Sequence, residues 1–189
     1  MSYLPIVLDL RDKKILIVGG GKIASNKLER LLNFTKEIRV ISKDFSPRVV
    51  ELIRDNCLST LPRAYQSGDI DGFDIVVVAT DDILLQKKIF EEAKEKRVLV
   101  NSVDSQEYCS FILPSVIKRG DFLLSFSTSG ASPALSKHLK RYFEAIIPES
   151  IDEFLKKMRK LRSELPKGES RMRKFDKMAR EFIQKSFKG

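Results

Sequence analysis

Gly19, Gly21 and Ala24 are spaced as the three small residues of a G-x-G-x-x-G/A turn, and the chemistry open to such a turn is to hold a pyrophosphate. The first glycine permits a tight turn and the second lets backbone approach the phosphates. The third small residue lets a helix pack close to the preceding strand, with its N-terminal N–H groups facing the anion. Further on, acids, hydroxyls and amides recur where strands would end: Lys43 and Asp44, Thr80 and Asp81, Asn101 and Asp104. Ligands of an open parallel sheet lie outside the carboxyl ends of its strands, so all of these are candidates for one crevice. An acid after the second strand would bind the ribose diol of NAD, whereas a base would accommodate the 2′-phosphate of NADP. Lys43 and Asp44 are adjacent and leave that choice open, and Asp44 also fits a turn ahead of the next helix. The run from Ser125 to Ser132 (Ser-Phe-Ser-Thr-Ser-Gly-Ala-Ser) reads as a flexible loop or as a cradle of donors for carboxylates. Ser132 as N-cap and Pro133 at the first helical position favour the cradle, because a helix N-terminus adds positive potential.

These residues need a scaffold of alternating strands and helices. Ile15 to Val18 is continuously apolar, as a strand buried on both faces would be, and Ile23, Leu28, Leu31 and Leu32 follow at helical spacing. Ile38 to Ser42 reads as the second parallel strand. Ser46 and Pro47 then open a helix that buries Val49, Val50, Leu52 and Ile53. Leu58 to Tyr65 predicts another strand, and Phe73 to Ala79 the clearest buried one, with Asp82 as a cap for a helix reaching about Lys96. Val98 to Val103 is the next strand, and Leu4 to Leu10 predicts a short one at the start. The alternation then stops. Ser110 to Pro114 and Phe122 to Ser127 read as short strands around the turn Lys118-Arg119-Gly120-Asp121. Beyond Pro133 the pattern is helical, with apolar faces through Leu135, Tyr142 and Phe143, through Phe154, Met158 and Leu161, and through Phe175, Phe182 and Ile183.

The expected class is α/β: a Rossmann-like parallel sheet, a small strand-helix dimerisation region and a helical C-terminal tail. The expected divisions are a dinucleotide domain over 1–112, the dimerisation and substrate-loop region over 113–147, and a basic helical region over 148–189. The tail helices follow a finished sheet and need a surface to cover. A homodimer meets that need, as would packing on the chain's own sheet.

The 189 residues carry a net charge of +9, and the last 39 hold 13 Lys and Arg against 6 Asp and Glu. A segment so placed attracts an anionic partner, or is simply a solvated helix face. Cys57 and Cys109 match no metal-binding spacing and read as free thiols, so no metal site is expected. His138, the only histidine, fits a structural or surface role on a tail helix. No apolar run is long enough to span a membrane, and the N-terminus lacks the features of a leader, so a cytoplasmic protein is expected.

Taken in order, Leu4-Pro5-Ile6 with Leu10-Arg11-Asp12, Val18 to Gly21 with Ala24 and Lys27, Ala79 to Asp82, Asn101 with Val103-Asp104, Ser110 to Ser115 and Ser127 to Pro133 resemble precorrin-2 dehydrogenase. That module, often also a sirohydrochlorin ferrochelatase, forms the N-terminal part of siroheme synthases. The resemblance implies NAD-dependent oxidation of precorrin-2 to sirohydrochlorin and, in members that also chelate, insertion of ferrous iron. It implies Asp104 as an acid/base in the oxidation and an aid to proton removal in chelation, Lys22-Ile23 and Lys43-Asp44 as NAD contacts, and Ser127, Thr128, Ser129 and Gly130 as the loop beside the tetrapyrrole. Because the chain ends at Gly189 without a methyltransferase domain, uroporphyrinogen methylation is expected to occur elsewhere. A basic tail suits a substrate bearing acetate and propionate groups around its ring. Two rivals remain at this level. One is an NAD-sensing module with a nucleic-acid-binding tail, against which the tail carries no helix-turn-helix or RNA-binding signature. The other is a dehydrogenase of small acids, which leaves the hydroxyl run and basic tail without a shared purpose.

Overall fold

A computed structural model describes residues 3–103 and 105–187, which fall into two compact units, 1–113 and 114–189. In the first unit, strand β1 (Ile15–Val18), helix α1 (Lys22–Leu32), β2 (Ile38–Ile41), α2 (Pro47–Asn56), β3 (Ser59–Leu61), β4 (Ile75–Val78), α3 (Ile83–Lys96) and β5 (Leu99–Ser102) follow in turn. The five strands form one parallel sheet in the order β3-β2-β1-β4-β5. Val18 pairs with both Ile41 and Val78, and Val78 with Ser102, so the carboxyl ends of four strands lie on one line.

The apolar runs explain the layers. In β1, Ile15 and Ile17 face Ala24 and Leu28 of α1 and Val49 and Leu52 of α2, while Leu16 and Val18 face Ile89 and Ala93 of α3. Because each face carries a helix layer, every β1 side chain is buried, as are all four of β4. The chain turns from building one side of β1 to the other between β3 and β4. The β1 and β4 ends therefore form the switch point where such sheets open a crevice.

Three of the expected strands changed, and on α2 Val50, expected on the buried face, is 51% exposed. Residues 3–10 form no strand: Leu4, Ile6 and Val7 remain mostly exposed, and only Leu10 packs against the core. An apolar run becomes a strand only where another strand completes its ladder, and Pro5 removes one donor outright. The strand expected over Leu58 to Tyr65 is confined to Ser59–Leu61, and the chain from Pro62 bends away. The hairpin strand lies at Ser115–Arg119 (β6) instead of Ser110 to Pro114. Ser110 is occupied elsewhere, its N–H bonding the Val100 carbonyl at 2.8 Å while its hydroxyl accepts from the Val100 N–H at 2.7 Å.

In the second unit β6 pairs antiparallel with β7 (Phe122–Phe126) from Arg119↔Phe122 to Ser115↔Phe126 across a two-residue Gly120-Asp121 turn. Helices α4 (Pro133–Ile146), α5 (Ile151–Glu164) and α6 (Glu169–Ser186) complete it. Ile117, Ile147 and Ile151 centre a cluster that Phe126, Phe143 and Phe182 join, so the hairpin and the helical tail share one core. Phe154 and Phe182 stack with centroids 4.2 Å apart, tying α5 to α6. Arg119 reaches the Glu144 and Ile147 carbonyls and thereby satisfies the exposed end of α4. Ser132 caps the other end, accepting from the Leu135 N–H at 3.2 Å.

Candidate functional site

The carboxyl ends of the strands open onto a cleft of about 510 Å³. It is lined by Gly19, Gly20 and Gly21 after β1, Ser42 to Ser46 after β2, Arg63 to Tyr65 after β3, and Thr80 and Leu85 around the start of α3.

Each glycine has a separate reason to be there. Gly19 has φ +120°, and a Cβ on it would overlap the Ala79 carbonyl oxygen, so the β1 and β4 ends approach this closely only across glycine. A Cβ on Gly20 would overlap the Asp44 carbonyl oxygen and crowd the Ser42 hydroxyl. Gly20 therefore seats the loop after β2, and the Ser46 N–H holds it by donating to the Gly20 carbonyl at 2.8 Å. Gly21 is different, because a Cβ there would meet nothing within 4 Å. The space beside it belongs to the cleft.

Gly21 is also the N-cap of α1. It offers no side-chain cap, and the first turn carries no acid, so the positive end of the helix dipole is uncompensated where the cleft begins. Ala24 is 1% exposed and lets α1 settle against the core. Open space, a close backbone and an uncapped helix end fit a pyrophosphate.

At the β2 end the Ser42 hydroxyl donates to the Asp44 carbonyl at 2.7 Å, which fixes the turn. Lys43 and Asp44 both line the cleft, and neither has an ion-pair partner among the described residues. The loop after β4 is held by buried Gln86, whose amide donates to the Thr80 carbonyl at 2.6 Å and the Val103 carbonyl at 3.2 Å. Asp82 is the cap expected of it, accepting from the Leu85 N–H at 3.0 Å.

Other sequence candidates lie outside this lining. Lys22 and Ile23 stand exposed on the first turn of α1, and Asp81 is exposed beside Thr80. Asn101 is 4% exposed: its oxygen accepts from Lys27 Nζ at 3.1 Å and its amide donates to the Phe111 carbonyl at 3.0 Å. Asp104 lies outside the described residues. Cys109 sits beside Asn101 as a free thiol accepting from the Ser102 N–H at 3.1 Å, and burial pushes its pKa up. In the second unit, Thr128 Oγ1 accepts from the Ser132 N–H at 2.9 Å and Ser127 Oγ from the Ser129 N–H at 3.1 Å. Ser129 (φ +51°) and Gly130 (φ +86°) turn the loop back into α4. His138 is exposed on α4. Among the described residues no cluster of His, Cys, Asp or Glu could hold a metal ion. Nor is any helix among them long and apolar enough to cross a membrane.

Sequence reasoning missed Gly20, Phe45, Arg63, Tyr65 and Leu85. A third strand drawn as far as Tyr65 takes in Arg63 and Tyr65. Ending that strand at Leu61 would have placed them in a strand-end loop, where ligand contacts are expected.

Carboxylates support the Arg63-to-Tyr65 wall of the cleft and the opposite end of the sheet. Arg63 holds Asp69 below its usual pKa, helped by the Gln66 N–H, and at the amino end of β4 Lys13 with the Lys14 N–H does the same for Asp74. Burial raises the pKa of Glu92, but hydrogen bonds from Tyr65, the Gly68 N–H and Lys96 outweigh it and lower it overall. Folded pKa values below the unfolded ones give stability that is complete above the unfolded values and lost as pH falls through the folded ones. Melting temperature is therefore expected to be flat from neutrality to about pH 5 and to fall below about pH 4, with Asp69→Asn making that fall shallower. An acid limb unchanged in Asp69→Asn would exclude Asp69 from it.

Residues 6–115 match a protein family described as "Putative NAD(P)-binding". Siroheme synthase 1 of Serratia proteamaculans is 39% identical over 153 residues, 81% of this chain and 32% of that protein. The siroheme synthase of Photorhabdus laumondii is 32% identical over all 189 residues, 39% of its own length. The chain thus spans about a third of the length of the curated relatives it matches. Among solved structures, SirC, a precorrin-2 dehydrogenase, superposes with a TM-score of 0.78 at 28% identity, covering 96% of this chain and 89% of that one.

Proposed function

The chain belongs to the NAD(P)-binding family matched by residues 6–115, and from that membership with its likeness to siroheme synthases and to SirC we propose that it is a precorrin-2 dehydrogenase acting in siroheme biosynthesis. The observation that carries the reading is a pyrophosphate-fitting cleft at the switch point of a chain that resembles SirC over 96% of its length. A bound NAD supplies the two-electron acceptor for the hydride that leaves precorrin-2.

This chain's residues then have distinct tasks. Gly19 and Gly21 bring backbone to the pyrophosphate, and the N–H groups of Lys22, Ile23 and Ala24 face it from the uncapped end of α1. Asp44 accepts the adenosine ribose diol, Lys43 adds charge beside it, and Thr80 borders the nucleotide at the β4 end, with exposed Asp81 next to it just outside the lining. Asp104 takes the proton that accompanies hydride loss, and Asn101 serves the substrate side by holding Lys27. In the second unit Ser127, Thr128, Ser129 and Gly130 offer hydroxyl and N–H donors to the ring carboxylates. The basic α5 and α6 helices raise the local concentration of such a polyanion. Ferrous iron, where inserted, is a substrate held by the tetrapyrrole, with Asp104 receiving pyrrole protons.

We place the protein in the cytoplasm as a homodimer. Leu135, Tyr142 and Ile146 leave an exposed apolar stripe along α4, which a second copy would cover. Anaerobic absorbance with precorrin-2 and NAD tests the activity, with ferrous iron added after the first reaction. Sirohydrochlorin is expected only with NAD, and siroheme faster than in an enzyme-free control. The same preparation is expected to sediment at twice the 21.6 kDa of one chain. Folded protein with no NAD-dependent oxidation would overturn the dehydrogenase reading, and a 21.6 kDa species the dimer.

A further inference from the structure

Arg63 lines the cleft but has no task in the reaction above. It leaves β3 beside the chain leaving β2, because the Ser42 N–H donates to the Leu61 carbonyl at 3.2 Å. That places it in the strand-end wall that also holds Lys43 and Asp44, where a dinucleotide fold handles the adenosine ribose. An arginine in that neighbourhood is the group that accommodates a 2′-phosphate.

Here the guanidinium is already committed. Nη1 donates to Asp69 Oδ2 and Nη2 to Asp69 Oδ1, both at 2.7 Å, and Nη1 also reaches the Ala64 carbonyl at 3.0 Å. Asp69 is anchored in turn, since its Oδ2 accepts from the Gln66 N–H at 2.7 Å and its side chain is only 11% exposed. A two-pronged arginine-carboxylate pair fixes geometry as well as charge. Lys43 and Asp44, unpaired and opposite in sign, largely cancel next to it.

We infer that Asp69 is a specificity-determining positioning residue for the cofactor: by holding Arg63 in a two-pronged pair, it withholds the guanidinium from a 2′-phosphate and tilts the cleft towards NAD over NADP. The inference rests on the dinucleotide reading of the cleft. Asp69 lies outside the glycine turn, on the β3-to-β4 connection, and adds to the preference that Asp44 gives at the ribose diol.

The test is calorimetric titration of NAD and NADP into the intact protein and its variants. Asp69→Ala is expected to raise the NADP-to-NAD affinity ratio by about tenfold, the scale of one charge-assisted hydrogen bond. Adding Arg63→Met to Asp69→Ala is expected to return the ratio to that of the wild type. Asp71→Ala removes the same charge two residues along and is expected to change the ratio by less than about twofold. A structural role alone would weaken both nucleotides together and leave the ratio still. An unchanged ratio in Asp69→Ala, or a gain that survives Arg63→Met, overturns the inference. Should Asp69→Ala fail to fold, Arg63→Met in the otherwise native chain decides. A ratio within about twofold of wild type supports the inference, and a selective tenfold loss of NADP overturns it, since Arg63 would then already serve the phosphate. Wild-type protein that binds neither nucleotide would sink the dinucleotide reading itself, whereas wild type that binds NAD with an unmoved ratio in Asp69→Ala sinks this inference alone.

Discussion

Gly21→Asp is expected to weaken NAD binding by about 100-fold or more while leaving the melting temperature nearly unchanged. A side chain at Gly21 enters open cleft, where nothing lies within 4 Å of its Cβ, so the fold has no reason to object. The new carboxylate would sit at the uncapped N-terminus of α1, the place offered to the pyrophosphate, and would satisfy the helix dipole itself. Like charges about 4 Å apart in a partly screened site repel by a few kcal/mol, enough for the stated loss. Gly19→Ala is the informative contrast. Gly19 lies at φ +120° against the Ala79 carbonyl, so even a methyl group forces β1 from β4 or strains the backbone by about 1–3 kcal/mol. Stability and binding should then fall together. Isothermal titration with thermal melts separates the two cases, and normal NAD affinity in Gly21→Asp would remove the pyrophosphate from this turn.

Asp104→Ala is expected to lower the rate of precorrin-2 oxidation by about 10²- to 10⁴-fold, with NAD affinity held within about twofold. The magnitude is that of a general acid/base, and the split between rate and cofactor affinity separates a proton-transfer role from a cofactor contact. Asp104→Asn should be nearly as slow, because an amide keeps the shape and loses the basicity. Single-turnover oxidation under anaerobic conditions, with NAD binding measured alongside, reads both quantities. Full turnover in either variant would mean that the proton leaves by another route. If turnover and NAD affinity fell equally, Asp104 would belong to cofactor binding.

The amino-acid sequence by itself determined the parallel core and the place of the glycine turn. Ile15 to Val18 and Ile75 to Val78 are apolar at every position, which only a sheet covered on both faces accommodates, and both strands are buried throughout. The glycine spacing and the caps at Asp82 and Ser132 are local features, and the structure places them as their spacing predicts. Tertiary structure decided whatever depends on a partner far along the chain. Leu4 to Leu8 has the composition of a strand and no ladder to join, because a local pattern does not say whether a neighbour exists. Gly20 fills an unrestricted place in the motif, and only the loop after β2, some twenty residues on, forbids it a side chain. Asn101 stands at a strand end like a ligand, yet Lys27 and the Phe111 carbonyl occupy its amide. Arg63 and Asp69 are separated by a bend that no periodicity predicts, and their pairing arises because the chain after β3 folds back on itself beside the cleft. Spacing in sequence encodes direction and period, whereas register, occupancy of a cleft and the pairing of its charges are set by non-local contacts.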